Sequence, residues 1–225
     1  MIDNIKNELQ IDSNLDHQEQ IEVNKQNEEV NKKDIEFLEI EVKFNADNID
    51  RFIFKDLAKS LNPKEFIYVE STDTYYEKEL NEFLRYRAAS ESSKSKRAEL
   101  TFKKKHKENN NIVRTEVNLR VDPSNPETVK AFAEGLGYKE NFVIWKACDI
   151  YRYDDATLVY YSVKDTNGKY NHFMEIEVIE GLPETEEEAW EIIRKYEKII
   201  EPLGITPQGR LRKSLYEMYR KDFSK

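Results

Sequence analysis

Residues 39–44 read Glu-Ile-Glu-Val-Lys-Phe, residues 175–178 read Glu-Ile-Glu-Val, and these two stretches decide how the chain folds. In both, charged and apolar side chains alternate, which is the pattern of a β-strand with one charged face and one apolar face. The carboxylates of each stretch therefore share one face of their strand. Four carboxylates arranged in this way can bind hard divalent cations. They belong to Glu39, Glu41, Glu175 and Glu177.

The composition allows one large domain or two small ones and restricts the classes of partner. The chain has 225 residues, of which 36% are charged and 12% aromatic, so a substantial core is compatible with a very polar sequence. The net charge of −9 argues against general binding to nucleic acids or anionic membranes, although it leaves room for a local basic pocket.

The cellular compartment follows from cysteine usage and from the apolar runs. The single cysteine, Cys148, excludes an intrachain disulfide and favours a reducing compartment. No apolar run is long enough to span a bilayer, and the N-terminus has no signal-peptide pattern. We therefore predict a cytoplasmic protein without a membrane partner, and the sequence leaves monomer and homodimer open.

Residues 1–34 differ in composition from the rest of the chain. They contain no glycine, proline or aromatic residue, and four Lys and Arg against nine Asp and Glu give them a net charge of −5. Such a segment buries little apolar surface, so we predict a disordered acidic tail. Residues 35–225 are then expected to form a single domain.

Strands dominate this domain, with a few helices between them. Alternation and turn signals predict eight strands, over residues 37–44, 65–78, 82–89, 98–105, 112–121, 141–153, 157–165 and 171–180. Helical spacing predicts helices over residues 48–61 and 127–136, a third from the capping box of Thr185 and Glu188 to Gly204, and a last helix starting near Arg212.

Charge lies on one face of at least seven strands, and their opposite faces are apolar. In a single strand this pattern indicates only a solvated outer face, but here the helices also have apolar stripes that need cover. An α+β fold satisfies both needs if a closed antiparallel β-barrel carries its helices outside and its charges inside. Isolated buried charges are too costly, so the interior must pair them or bind ions. The other charged residues of this predicted lining are Lys43, Arg85, Arg87, Lys103, Arg114, Glu116, Lys146 and Arg152.

These residues, in their order along the chain, resemble the CYTH superfamily, also called the triphosphate tunnel metalloenzymes. The series begins with Glu39-Ile-Glu-Val-Lys43, which matches the E-x-E-x-K pattern that opens these proteins. The resemblance covers residues 36–220. The later matches are Asp73-Thr-Tyr75, Arg85-Tyr-Arg87, Leu100-Thr-Phe-Lys103, Arg114-Thr-Glu116, Lys146 to Arg152, Glu175-Ile-Glu177 and Arg212-Lys213-Ser214-Leu-Tyr216.

The resemblance implies an eight-stranded antiparallel tunnel that binds a triphosphate. It implies Mg²⁺ or Mn²⁺ held by the four paired glutamates, and phosphate contacts from the seven basic residues of the lining. Lys43 and Glu116 are the implied catalytic residues, with Glu116 orienting a second metal or the attacking water. Lys213 would contact the substrate at one tunnel mouth. The chain departs from the family after the seventh strand, where only Asp165 is available for a position that is acidic in relatives.

We therefore predict metal-dependent hydrolysis of a triphosphate such as tripolyphosphate, thiamine triphosphate or a nucleoside triphosphate. A class IV adenylyl cyclase would use the same metals and bases, with a ribose oxygen as the attacker. An RNA 5′-triphosphatase, whose partner is an RNA end, and a non-catalytic polyphosphate or nucleotide receptor are also compatible with these residues. The four paired glutamates argue against a receptor, because a pure anion receptor gains from fewer carboxylates.

Overall fold

The computed structural model describes residues 37–79, 82–91, 96–105, 113–179, 183 and 185–221. The predicted tail of residues 1–34 lies outside this part of the chain. The strands are β1 (Phe37–Asn45), β2 (Glu65–Glu79), β3 (Glu82–Glu91), β4 (Arg97–Lys105), β5 (Val113–Val121), β6 (Lys139–Arg152), β7 (Ala156–Lys164) and β8 (Tyr170–Val178). The helices are α1 (Arg51–Ser60), α2 (Pro126–Gly135), α3 (Glu186–Ile200) and α4 (Leu215–Tyr219). None of the described helices combines the length and the hydrophobicity needed to cross a bilayer.

The eight strands pair in one antiparallel sheet, in the order β5-β4-β3-β2-β6-β7-β8-β1. Most pairings join strands that follow each other in sequence, as short connections favour. The β2–β6 and β8–β1 pairings bring distant parts of the chain together. The prediction of eight antiparallel strands combined with helices is confirmed.

The register of the strands places the predicted charged residues on one surface of the sheet, here called the charged face. Residues directly opposite each other on antiparallel strands have side chains on the same face. Glu41 pairs with Glu177 and Lys43 pairs with Glu175, so β1 and β8 are oriented alike. The same relation extends through the rest of the sheet. The pairs that carry it are Glu175 with Val159, Tyr161 with Cys148, Lys146 with Ser71, Asp73 with Arg87, Arg85 with Thr101, and Lys103 with Glu116.

The opposite, apolar face is covered by α1, α2 and α3, as predicted. Phe54 of α1 and Ile193 of α3 are fully buried in one cluster with side chains of β1, β6, β7 and β8. Val129 of α2 packs in a second cluster with β2, β3 and β4. Helix α1 begins after Asp50, whose side chain accepts hydrogen bonds from two backbone N–H groups. This cap starts the helix three residues later than the apolar spacing at residues 48–61 suggests.

The short helix α4 lies against the charged face, at the end where β2 finishes and β3 begins. The Tyr216 ring stacks on Phe83 with 4.3 Å between the ring centroids. Beyond the helix, Arg220 donates a hydrogen bond to Glu77 at 2.9 Å, and the Lys221 backbone donates to Asn141 at 2.7 Å. The apolar side chains of α4 cover this end of the charged face, and these two hydrogen bonds hold the segment that follows the helix. The buried cluster contains Tyr75, Phe83, Phe142, Tyr161, Phe173, Leu215 and Tyr216.

Ser214 caps α4, and the helix begins at Leu215 rather than near Arg212. The Ser214 hydroxyl accepts a hydrogen bond from the Glu217 backbone at 3.2 Å, and the Glu217 carboxylate accepts one from the Ser214 backbone at 2.8 Å. We expect Ser214→Ala to lower the free energy of unfolding in urea by about 1 kcal/mol. Ser60→Ala is the control, because the Ser60 hydroxyl only donates to an exposed carbonyl at the end of α1. Equal unfolding midpoints for the two variants would contradict the capping role.

Candidate active site

Charged side chains of β1 and β8 meet around the ammonium of Lys43. This nitrogen lies 2.5 Å from Glu175 Oε1 and 3.3 Å from Glu41 Oε1. Lys43 is buried, so the two carboxylates offset the cost of removing its charge from water. Glu177 lies beside Glu41 through the β1–β8 register. Three of the four predicted metal-binding glutamates thus lie on the charged face of the neighbouring strands β1 and β8.

The carboxylate of Glu177 lies in a region of excess negative charge. Burial, with added repulsion from Glu41 and Glu175, raises the pKa of Glu177 to about 7. The side chain as a whole keeps accessible surface, while the surrounding protein desolvates its carboxylate. Lys103 lowers the same pKa and Glu116 raises it.

The carboxylates suit a divalent cation by their charge. Among the described residues, no three Asp, Glu, His or Cys side chains lie close enough together to enclose a metal ion, and Lys43 lies between Glu41 and Glu175. Glu41 and Glu175 add to the effect of burial in raising the pKa of Glu177, and a bound cation would relieve this repulsion. The side chain of Glu39, the fourth predicted ligand in β1, lies outside the described residues.

A basic group occupies the charged faces of β3, β4 and β5. The Lys103 ammonium lies 2.6 Å from Glu116 Oε2. Arg85 Nη2 donates to Thr101 Oγ1 at 2.9 Å and lies 3.8 Å from Glu116 Oε1. Arg85 Nε is buried and has no hydrogen-bond partner among the described residues. The next residue along β4, Lys104, is 61% exposed, as the alternation predicts.

Arg87 is fixed by a buried carboxylate of β2. Its Nε and Nη2 donate to the two oxygens of Asp73 at 2.8 and 2.6 Å. Burial opposes the ionisation of Asp73, but the charge and hydrogen bonds of Arg87 outweigh it and hold the pKa of Asp73 well below its ordinary value. Arg85 and Lys146 lower the same pKa further. Asp73 is thus an ionised anchor beneath the basic side chains.

Tyr161 of β7 belongs to this site, although the sequence pattern did not single it out. Its hydroxyl donates to Glu175 Oε1 at 2.7 Å, and its ring centroid lies 4.1 Å from the Lys146 ammonium. The signal was present in the alternation of β7, but an aromatic residue in such a strand is typical of core. Asp165 accepts hydrogen bonds from two backbone N–H groups of the β7–β8 hairpin, so it stabilises the turn.

Three predicted substrate contacts lie apart from these groups or lack a described side chain. Arg152 is at the end of β6, 49% exposed, and pairs with Glu65 at 2.9 Å. Lys213 is exposed and directly precedes the Ser214 cap of α4. Arg114 lies in β5, and its side chain is outside the described residues. Their contacts with substrate stay predictions.

Comparisons with known proteins agree with this architecture. Among solved structures, a protein from Pyrococcus horikoshii is 27% identical, with a TM-score of 0.65 and coverage of 81% of this chain and 99% of that chain. A conserved hypothetical protein from Pyrococcus furiosus is 29% identical, with a TM-score of 0.63 and coverage of 80% and 98%. A candidate adenylate cyclase from Bacillus halodurans, 16% identical over 81% and 97% of the chains, shares the fold at a TM-score of 0.53.

A search of curated proteins gave no match. The family model described as the CYTH domain matches residues 37–207, which include all eight strands and three of the four helices. The chain therefore belongs to the CYTH family.

Proposed function

We propose that this protein hydrolyses the terminal phosphate of a triphosphate with the help of Mg²⁺ or Mn²⁺. The observation that supports this most is the charged face itself, where buried basic side chains and a surplus of carboxylate charge share one surface. Members of the CYTH family act as triphosphatases or cyclases and typically depend on a divalent metal. A triphosphate with its cation matches both signs of charge.

In this proposal the sheet closes into a tunnel by bringing β1 and β5 together. Support comes from Glu177 of β8, whose pKa responds to Lys103 of β4 and Glu116 of β5. In the order of the sheet, four strands separate β8 from β4, so a flat sheet would hold these charges too far apart to interact. A strongly curved sheet brings its two ends together around the charged face.

The basic residues would bind the phosphate chain. Arg85 and Lys103 would approach the ligand from β3 and β4, while Lys146 would approach from β6. Arg87, held by Asp73, presents the remainder of its guanidinium to the same space. An anion entering this space would meet buried cations that are already oriented, so little reorganisation is needed when charge develops during the reaction.

The carboxylates of Glu41, Glu175 and Glu177, with Glu39, would hold the cation. When bound, Mg²⁺ or Mn²⁺ supplies polarisation of the phosphoryl oxygens and offsets their charge in the transition state. Lys43 lies between Glu41 and Glu175, where its ammonium can donate to a phosphate oxygen next to the cation. This position is the basis for its proposed catalytic role.

Glu116 is the residue proposed to orient the attacking water. Lys103 lies 2.6 Å from one of its oxygens and Arg85 lies 3.8 Å from the other, so the two cations restrain the carboxylate, which can still accept a hydrogen bond from water. The water oxygen forms a bond to the terminal phosphorus as the bridging P–O bond breaks. Inorganic phosphate and the corresponding diphosphate are the products.

The proposal is tested by incubating the protein with tripolyphosphate, thiamine triphosphate, ATP or 5′-triphosphorylated RNA, each with Mg²⁺ or Mn²⁺, and separating the products. We expect one inorganic phosphate per substrate consumed, and no release when EDTA is present. Cyclic AMP with diphosphate from ATP would identify a cyclase instead, because the same groups serve a ribose oxygen as attacker. Tight binding of every substrate without turnover would identify a receptor.

A further inference from the structure

We propose that Tyr161 is a positioning residue that joins the cation-binding carboxylates to the phosphate-binding bases. Its hydroxyl holds Glu175 and its ring face holds Lys146, so one rigid side chain sets the separation of two groups that must act on the same substrate. This assignment rests on the proposed hydrolysis of a triphosphate. Tyr161 is uncharged, so it would act by holding charged side chains in place and not by binding the substrate through a charge of its own.

The Tyr161 side chain is held rigidly by its surroundings. It has no exposed surface and lies in the cluster that α4 completes. Its ring packs against Phe173 of β8 with centroids 5.5 Å apart, and its β6 partner across the strand is Cys148. Close packing on both sides restricts the ring to one rotamer, so the hydroxyl and the ring face have fixed directions.

The hydroxyl directs one oxygen of Glu175 and leaves the other available. Tyr161 donates to Oε1 at 2.7 Å, and Lys43 lies 2.5 Å from the same atom. No hydrogen bond from a described residue reaches Oε2, so this oxygen is the one that can bind a cation. The phenol hydroxyl has a single proton, and it donates this proton to the carboxylate of Glu175.

The Tyr161 ring fixes the position of the Lys146 ammonium without using its N–H donors in a conventional hydrogen bond. The ammonium lies 4.1 Å from the ring centroid, within the range of a favourable cation–π contact. Among the described residues, no carboxylate forms an ion pair with Lys146. A π face holds the cation in place without a conventional acceptor atom, so the N–H groups stay available for phosphate oxygens. A carboxylate at the same place would instead compete with the substrate for this lysine.

Two substitutions separate the two contacts. Tyr161→Phe keeps the ring and removes the hydroxyl, and we expect Mn²⁺ affinity, measured by calorimetry on the substrate-free protein, to fall by about tenfold. Its KM for triphosphate at saturating metal should stay within about twofold of the wild-type value. Tyr161→Leu removes the ring as well, so it should show the same loss of Mn²⁺ affinity and a KM raised by about tenfold.

Tyr160→Phe is the matched control. Tyr160 is the neighbouring residue on the apolar face, and its hydroxyl donates to the Ile49 carbonyl at 3.2 Å. It should leave Mn²⁺ affinity and KM unchanged, while thermal unfolding checks that all three variants fold. The assignment of Tyr161 would be overturned if Tyr161→Phe bound Mn²⁺ as tightly as the unsubstituted protein does, or if Tyr161→Leu had an unchanged KM. In either case, hydrolysis by the unsubstituted protein would still support the proposed function. A wild-type protein that neither binds Mn²⁺ nor hydrolyses triphosphate would overturn both.

Discussion

Replacing Glu177 by glutamine is expected to lower metal-dependent hydrolysis by at least about a hundredfold, equivalent to about 2.7 kcal/mol of transition-state stabilisation. The same substitution should make the metal-free protein more stable above pH 7. The two effects share one cause, because the negative charge that would hold the cation is unfavourable when no cation is present. Glu41→Gln should lower hydrolysis to a similar extent, since Glu41 faces Glu177 across the β1–β8 pair.

The direction of the stability change follows from the pKa of Glu177. It lies near 4.5 for an ordinary glutamate and rises to about 7 in the folded protein. Between these values the native state binds more protons than the unfolded state, so wild-type stability decreases as pH rises from about 4.5 to about 7. Glutamine has no charge at either end of this range. The gain of Glu177→Gln should therefore be absent near pH 4.5 and complete above pH 7.

Thermal unfolding in EDTA at pH 4.5 and pH 8 measures the gain in stability of the metal-free protein. Phosphate release with saturating Mn²⁺ measures the loss of hydrolytic activity. Glu191→Gln is the control, because Glu191 is an exposed carboxylate of α3 on the other side of the sheet. It should change neither quantity. Full activity of Glu177→Gln would show that this carboxylate does not hold the metal, whatever its effect on stability.

The second large effect is expected for Asp73→Asn. Removing one partner of a buried ion pair leaves the other charge without compensation, and this typically costs about 3 to 5 kcal/mol of unfolding free energy. Because Arg87 then loses the carboxylate that fixes both of its donor nitrogens, KM for the triphosphate should also rise. Urea unfolding and steady-state kinetics at neutral pH measure the two changes.

The pH dependence of this effect has the opposite sign to that of Glu177. The pKa of Asp73 lies below its ordinary value of 3.8 in the folded protein. The stability that ionised Asp73 contributes is therefore fully present above about pH 3.8, and it is lost as pH falls through the lower native pKa. The difference between wild type and Asp73→Asn should be constant near neutrality and shrink in acid.

The apolar face provides a matched control for Asp73. Asp149 is also buried, and it accepts two hydrogen bonds from Arg51 of α1, at 2.5 and 2.8 Å. Asp149→Asn should destabilise the protein without raising KM, because this pair lies on the side of the sheet away from the charged face. If both variants lose stability and neither changes KM, then Asp73 supports only the fold.

Much of the fold could be predicted because strand periodicity depends on sequence alone. Alternation of Glu39 to Phe44 and of Arg85 to Arg87 determined which side chains share a face, and the register confirms this for the described residues. The placement of helices on the apolar face followed from their stripes. Alternation cannot say how far along a strand a side chain lies, which is why Arg152 was grouped with Lys146 although it pairs with Glu65 at the end of β6.

The contacts within the site were beyond the sequence because they depend on three-dimensional packing. The alternation places Lys43 on the same face of β1 as Glu41. Its short contact with Glu175 could not be predicted, because that contact depends on the β1–β8 register. Tyr161 was overlooked because a tyrosine in a strand is typical of core, and its hydroxyl becomes important only through Glu175. The start of α4 at Leu215 is set by the capping box of Ser214 and Glu217.

The position of helix α4 affects how substrate would enter and how products would leave. Its residues Leu215 and Tyr216 fill one end of the charged face with apolar side chains. If β1 and β5 close the sheet, the described side chains of α4 would obstruct this end, so substrate and products would share the opposite end. Diphosphate and phosphate would then compete with incoming substrate for the same passage, and a long polyphosphate could present only its end.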